Sequence, residues 1–171
     1  MEIQLLSKKG HHSKWFDSRA TQLTRELYST QLGGDLVTKA IVRTNNIRHV
    51  LWIESADGAP IAASMLIHLR DIYYRVGGLA VDNAHKRNGY GSALLRRIHE
   101  LLPSGSRLLL GVDKGTDATD WLTKWYMRKG FMRISETGDE VLMGKTVFNR
   151  PSSTDTQPAT WHKGSVWGVV N

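Results

Sequence analysis

The sequence predicts a mixed α/β sheet, and three observations carry that expectation. Apolar residues recur at a spacing of two in some segments and of three or four in others, so both strands and helices form. Over residues 72–135 the order is strand, helix, strand, helix, strand, which calls for parallel pairing, while hairpin signals on either side call for antiparallel pairing. Residues 108–112 are a continuous apolar run of strand length, the pattern of a strand covered on both faces. With 171 residues, 40% of them hydrophobic and 23% charged, the chain suits one domain; a chain of this size buries roughly 70% of its unfolded surface. That composition excludes a disordered chain and a collagen-like repeat. Cysteine is absent, which removes disulfides, a thiolate nucleophile and cysteine-ligated zinc.

Residues 2–6 read as a short strand. Phe16, Ala20, Leu23, Leu27 and Tyr28 then mark an amphipathic helix over 15–32, which Gly33-Gly34 stops. A strand follows over 49–55, then Asp57-Gly58, a tight-turn signal. The return strand, 61–69, sets Ile61, Ala63, Met65, Ile67 and Leu69 on one face. The next strand, 72–81, is interrupted by Gly77-Gly78, a sign of a bulge or of close approach by another backbone or a ligand. A helix over 91–102 carries Leu94, Leu95, Ile98, Leu101 and Leu102 on one side and ends at Pro103-Ser104-Gly105. After the strand at 108–112, a second helix spans 117–129 with Trp121, Leu122, Trp125 and Tyr126 as its apolar side. Strands at 131–135 and 141–148 complete the set. Domain 1–148 is then followed by a tail, 149–171, in which Trp161 and Trp167 suggest a docked rather than a free segment. No apolar run approaches the ~20 residues of a membrane helix. Residues 1–4 lack a basic head before an apolar stretch, so a cytoplasmic protein without a membrane partner is expected.

Lysine and arginine number 23 against 16 acids, a net charge of +7. Such an excess points to a polyanionic partner or to scattered surface lysines that serve solubility. The bases are spread along the chain without a dense run interleaved with aromatics, so nucleic acid is not the favoured partner. One segment concentrates them. At 79–95 a strand ends, a basic loop with Lys86 and Arg87 follows, and Gly89-Tyr90-Gly91 opens a helix. The first turn of a helix offers unpaired N–H groups and a positive dipole end, and glycines let a phosphate come close. No Gly-Lys-Ser/Thr follows, so this is not a Walker loop, and Leu94 stands where a dinucleotide fingerprint needs its third glycine. A purely structural turn is the other reading. His11-His12 lacks the spacing of a helical metal pair, so no metal is expected.

Two motifs resemble the GNAT superfamily of N-acetyltransferases. Lys86-Arg87-Asn88-Gly89-Tyr90-Gly91 is similar to that family's Gln/Arg-x-x-Gly-x-Gly/Ala loop, with lysine at the first position, which keeps charge but not planar bidentate geometry. Tyr126-Met127-Arg128-Lys129-Gly130-Phe131 is similar to its Tyr-x-x-x-Gly-Phe helix ending, about 35 residues on. The resemblance covers residues 2–148 and implies a GNAT-like fold whose central parallel strands, 72–81 and 108–112, splay apart. It implies acetyl-coenzyme A as cosubstrate, its pantetheine arm bonded to the backbone of Leu79, Ala80 and Val81. Its pyrophosphate would rest on Lys86, Arg87, Asn88, Gly89, Tyr90, Gly91 and Ser92. Thr119 stands where the family often has an asparagine seven residues before the tyrosine, a further candidate coenzyme contact.

Acyl transfer to an amine needs a proton for the departing sulfur and a route for the amine's proton. Tyr126, with an ordinary pKa of ~10, suits the general acid. The base stays open. Relatives often carry a glutamate on the fourth strand, but residues 72–78 contain no carboxylate; Asp113, His68 or a water chain would serve. The resemblance places the acceptor between residues 15–32 and 136–140, where Glu136, Asp139 and Glu140 either attract a cationic amine or are a solvated turn. The expected activity is N-acetyl transfer to an amine on a small molecule, peptide or protein, by a monomer or homodimer. The alternatives are a catalytically inert coenzyme-binding or regulatory module, and a transferase acting on a nucleic-acid-associated acceptor.

Overall fold

The computed structural model describes residues 2–7, 23, 26, 27 and 47–149. Of the helix expected over 15–32, Leu23, Glu26 and Leu27 are described, and all three are helical. His11-His12 and, apart from Asn149, the expected tail lie outside the described residues. No helix among the described residues is long and apolar enough to cross a membrane.

The fold is a mixed α/β sheet of seven strands: β1 (Gln4–Ser7), β2 (Ile47–Glu54), β3 (Pro60–Arg70), β4 (Tyr73–Val81), β5 (Arg107–Asp113), β6 (Met132–Glu136) and β7 (Glu140–Thr146). Their order across the sheet is β1-β2-β3-β4-β5-β7-β6. Helix α1 (Tyr90–Leu101) crosses from β4 to β5, and that pair alone among the described strands is parallel. Helix α2 (Thr119–Arg128) follows β5. The turn signalled by Asp57-Gly58 closes as expected, with the Ser55 N–H on the Ala59 carbonyl (2.9 Å) and the Ala59 N–H on Ser55 Oγ (3.0 Å).

Gly77-Gly78 does mark a bulge. Ala63 pairs with Ala80 and Met65 with Gly77, so two steps along β3 oppose three along β4. An extra residue inverts the alternation of the strand. Val76 before the bulge and Leu79 and Val81 after it all pack toward the main core, while Ala80 turns to the opposite face. Parallel pairing with β5 is confined to Tyr73–Arg107, Tyr74–Leu108 and Arg75–Leu109. Beyond Arg75 the two strands part: β4 continues on β3, and β5 continues on β7 through Asp113–Glu140.

The main core sits under the helices, where Leu94, Leu95 and Ile98 of α1 and Tyr126 of α2 meet Leu108, Leu110, Val112, Val141 and Met143. A smaller cluster of Leu27, Val50, Ala63, Met65 and Ala80 covers the other face. With cover on both faces, β3 is buried continuously from Ile61 to Ile67 rather than on the one face expected, and Leu69, beyond the covered stretch, is 41% exposed. The expectation for α2 also needs correcting. Thr123 and Tyr126 are its buried residues, whereas Trp121 lies 55% exposed, stacked on Trp125.

Ser64 is fully buried with no hydrogen-bond partner for its Oγ among the described residues. A buried unpaired hydroxyl destabilises by about 1–3 kcal/mol. Ser64→Ala should therefore hold or raise the urea midpoint, whereas Leu94→Ala, which empties a fully buried site, should lose roughly 2–5 kcal/mol. The glycines at the start of α1 should behave oppositely. Gly89 has φ +83°, so Gly89→Ala should cost about 1–2 kcal/mol. At Gly91 an added Cβ meets nothing nearer than 3.6 Å, so Gly91→Ala should stabilise the helix by up to about 1 kcal/mol. Thermal unfolding of the two variants without ligand checks the contrast.

Candidate functional site

The loop leaving β4 is built from local contacts. Asp82 caps a single 3₁₀ turn, Asn83–His85: its Oδ2 accepts from the Ala84 N–H (3.0 Å) and pairs with His85 Nδ1 (2.8 Å). Hydrogen bonding from His85, aided by the Ala84 N–H, holds the Asp82 carboxyl below the ordinary aspartate range. The His85 ring then meets the edge of Tyr90, the first residue of α1 (6.2 Å). Between them the backbone is left-handed at Arg87 (φ +69°) and Gly89 (φ +83°).

The helical ladder begins with Ala93 N–H on the Gly89 carbonyl (3.0 Å), so the N–H groups of Tyr90, Gly91 and Ser92 precede it. Gly89 supplies no side-chain cap, and the first turn of α1 carries no acidic residue. Lys86, Arg87 and Asn88 are exposed beside it. These residues assemble what an anion needs, namely unladdered N–H groups, the positive end of a helix dipole and two formal charges.

This cradle opens onto the gap between β4 and β5. Beyond Arg75 no strand among the described residues pairs with the edge of β4 that faces away from β3, and Leu79, Ala80 and Val81 lie in that stretch. A Cβ on Gly91 would contact Val81 Cγ2 and Trp125 Cη2, each at 3.6 Å. The end of β4, the start of α1 and the middle of α2 therefore converge there.

Tyr126 follows Trp125 and is 7% exposed, its ring edge-on to Trp125 (4.8 Å) and to Phe131 (5.7 Å). Burial pushes its hydroxyl above the ordinary tyrosine range, so the group stays protonated at neutral pH. The Tyr-x-x-x-Gly-Phe pattern has a clear physical basis. The Phe131 N–H donates to the Tyr126 carbonyl (3.1 Å) and the Gly130 N–H to the Met127 carbonyl (2.9 Å), with Gly130 at φ +84°. This is a Schellman closure, which brings the residue after the glycine back onto the helix. Phe131 consequently packs on Tyr126 and fixes its place.

Asp113, Thr119 and His68 are positioned differently. Asp113 is exposed at the end of β5, and by strand alternation it shares the face of Leu109 and Gly111, opposite the main core. Thr119 Oγ1 donates within the β5–α2 loop, 2.8 Å from both the Asp113 and Thr116 carbonyls. His68 is engaged at both ring nitrogens, Nδ1 with Arg48 (3.2 Å) and Nε2 with the Asp71 carbonyl (2.9 Å). It pairs with Tyr74, before the strands part, and so stands outside the open stretch between β4 and β5.

The acids of the 136–140 turn also separate. Glu136 is bound by Lys114 (2.8 Å) and Arg133 (3.3 Å), and the Lys114 hydrogen bond holds its carboxyl low. Glu140 pairs instead with Arg75 of β4 (2.8 Å), across Gly111 of β5. Sequence reasoning missed this pair, and the one signal for it was a glycine inside the apolar run 108–112. A groove of about 350 Å³, lined by Lys114, Thr116, Asp117, Thr119, Arg133 and Glu136, lies on the β6 side of β5, away from the gap.

A model of the acetyltransferase (GNAT) family matches residues 15–135. Among solved structures, an aminoglycoside 6'-N-acetyltransferase complexed with coenzyme A is similar over 88% of this chain and 99% of its own, at 17% identity and a TM-score of 0.61. The ribosomal-protein-S18-alanine N-acetyltransferase from Escherichia coli is similar over 89% of this chain and 98% of its own, at 15% identity and a TM-score of 0.62. The PaiA N-acetyltransferase from Thermoplasma acidophilum, in complex with coenzyme A, is similar over 85% and 99%, at 16% identity and a TM-score of 0.58. No curated protein matches the chain. The family match extends over 15–135 of 171 residues, and the solved neighbours share the fold: the chain belongs to the GNAT family of acetyltransferases.

Proposed function

We propose that the protein transfers an acetyl group from acetyl-coenzyme A directly to a primary amine. One observation carries this reading. The parting of β4 from β5 beyond Arg75 ends at a basic loop and a helix N-terminus that carries no acid of its own. A strand edge open beyond Arg75 with an anion cradle at its end suits an extended, amide-bearing ligand that terminates in phosphates. The backbone of Leu79, Ala80 and Val81 would hold the amides of the pantetheine arm as a neighbouring strand does. The N–H groups of Arg87 to Ser92, with Lys86 and Arg87, would hold the pyrophosphate.

The coenzyme supplies an activated thioester, so that a C–N bond forms at its carbonyl carbon as the C–S bond breaks. Tyr126, kept protonated by burial, would donate its proton to the departing sulfur. The ammonium of the acceptor sheds its protons to solvent or to a carboxylate. Without cysteine in the chain, no acyl-cysteine intermediate is available, which favours direct attack by the amine. The acceptor is an amine on a small molecule, a peptide or a protein; the solved neighbours include enzymes named for an aminoglycoside and for a ribosomal protein's alanine.

Release of free coenzyme thiol, measured across polyamines, aminoglycosides, alanyl peptides and lysyl peptides, tests the activity. Tyr126→Phe should lower turnover about 10²–10⁴-fold while coenzyme affinity stays similar. Unchanged turnover removes Tyr126 from the proton-donor role. No thiol release with any acceptor would leave the inert coenzyme-binding module as the reading.

A further inference from the structure

Three residues from three strands meet at the mouth of the gap. Arg75 is the last residue of β4 that pairs with β5, Gly111 stands two residues beyond its partner Leu109, and Glu140 begins β7 opposite Asp113. The Arg75 guanidinium and Glu140 Oε2 meet at 2.8 Å above Gly111. The crossing exists only because residue 111 has no side chain. A Cβ built there would lie 2.1 Å from Glu140 Oε2 and 2.8 Å from the Arg75 guanidinium nitrogen. By strand alternation this pair occupies the sheet face opposite the main core in which Tyr126 is packed. Arg75 meets one carboxylate oxygen, Oε2, and the Glu140 side chain is 29% exposed. β4 itself has no carboxylate between Tyr73 and Val81.

We propose that Glu140 is the residue that selects the acceptor: its carboxylate, held over Gly111 by Arg75, accepts hydrogen bonds from the acceptor's ammonium group and keeps its nitrogen at the mouth of the gap. This rests on the acetyl-transfer reading above and deepens it, because it specifies a cationic amine entering from the face that α2 does not cover. A charge-assisted hydrogen bond to a pre-positioned carboxylate discriminates strongly between an ammonium and its neutral amide. Of the two other acids suggested for this role, Glu136 is taken by Lys114 and Arg133, and Asp139 is exposed in the turn between β6 and β7. Asp113 stands opposite Glu140 on the same face, exposed at the end of β5, and adds to the negative field there.

The test is calorimetric titration of the full chain saturated with coenzyme A, which needs no turnover. The probes are 1,4-diaminobutane, an alanyl tripeptide and kanamycin, each against its N-acetylated form. The wild-type chain should prefer at least one free amine by about tenfold or more. Glu140→Gln should abolish that preference while coenzyme affinity and Tm hold, and Glu140→Asp should restore part of it. Gly111→Ala, which displaces the carboxylate without removing its charge, should abolish it too. A wild-type chain without preference overturns the proposal, as does Glu140→Gln or Gly111→Ala with the preference intact. Intact amine preference without thiol release would instead count against acetyl transfer and leave Glu140 as an amine-binding residue.

Discussion

Parallel pairing between β4 and β5 stops at Arg75–Leu109, and the remaining features of the site are arranged around that stop. A strand edge left open inside a sheet exposes N–H and C=O groups that want partners. The opening persists because each strand is firmly held on its other side. β5 pairs with β7 in unbroken register from Arg107–Thr146 to Asp113–Glu140, and β4 stays on β3 through a bulge. That bulge returns Leu79 and Val81 to the main-core face, so β4 remains anchored under α1 while its edge away from β3 faces the gap. The sheet is thus two stiff halves joined by a short seam.

Electrostatics sharpen the same geometry. A net charge of +7 says little by itself, because several of the cations already have partners: Arg75 on Glu140, Lys114 and Arg133 on Glu136, Arg97 on Glu100. Among the described residues Lys86 and Arg87 form no ion pair, and they flank a helix start that carries no acid. Two charges without an ionic partner therefore stand next to the end of the gap. Asp82 is not an exception, since its carboxylate is spent on capping the turn that presents the loop.

What the sequence made legible is what is encoded locally. The Lys86–Gly91 loop depends on left-handed backbone at specific positions, and the Tyr126–Phe131 ending depends on a glycine that closes a Schellman turn. Both can be read from a handful of adjacent residues, and so can the bulge at Gly77-Gly78. The unread features are those that depend on what lies across the sheet. Cover on both faces buries Ala62, Ser64 and Leu66 as well as the alternate residues of β3, and α2 turns Trp121 outward because Thr123 and Tyr126 already fill its contact with the core. Glu136 and Glu140 look alike in a run of acids. Only the distant partners, Lys114 for one and Arg75 for the other, 65 residues away, separate them.

Gly111 shows how magnitudes decide between a structural and a positional role for the Arg75–Glu140 pair. Glycine inside a strand costs about 0.5–1 kcal/mol against alanine. A partly exposed ion pair returns only about 0–1 kcal/mol, and these side chains are 38% and 29% exposed. The two terms come close to cancelling, so net stability does not account for leaving a strand position empty to let the pair close. Position does. Without the glycine, Arg75 and Glu140 could each pair elsewhere on the surface, but not above β5 at the point where the seam ends. A carboxylate brought from β7 to the mouth of the gap stands close to where β4 itself offers none, and it stands on the face away from Tyr126. On the proposed reading, Tyr126 would give a proton from one side of the gap and Glu140 would accept hydrogen bonds on the other, the polarity that moving an acyl group onto an ammonium-derived nitrogen requires.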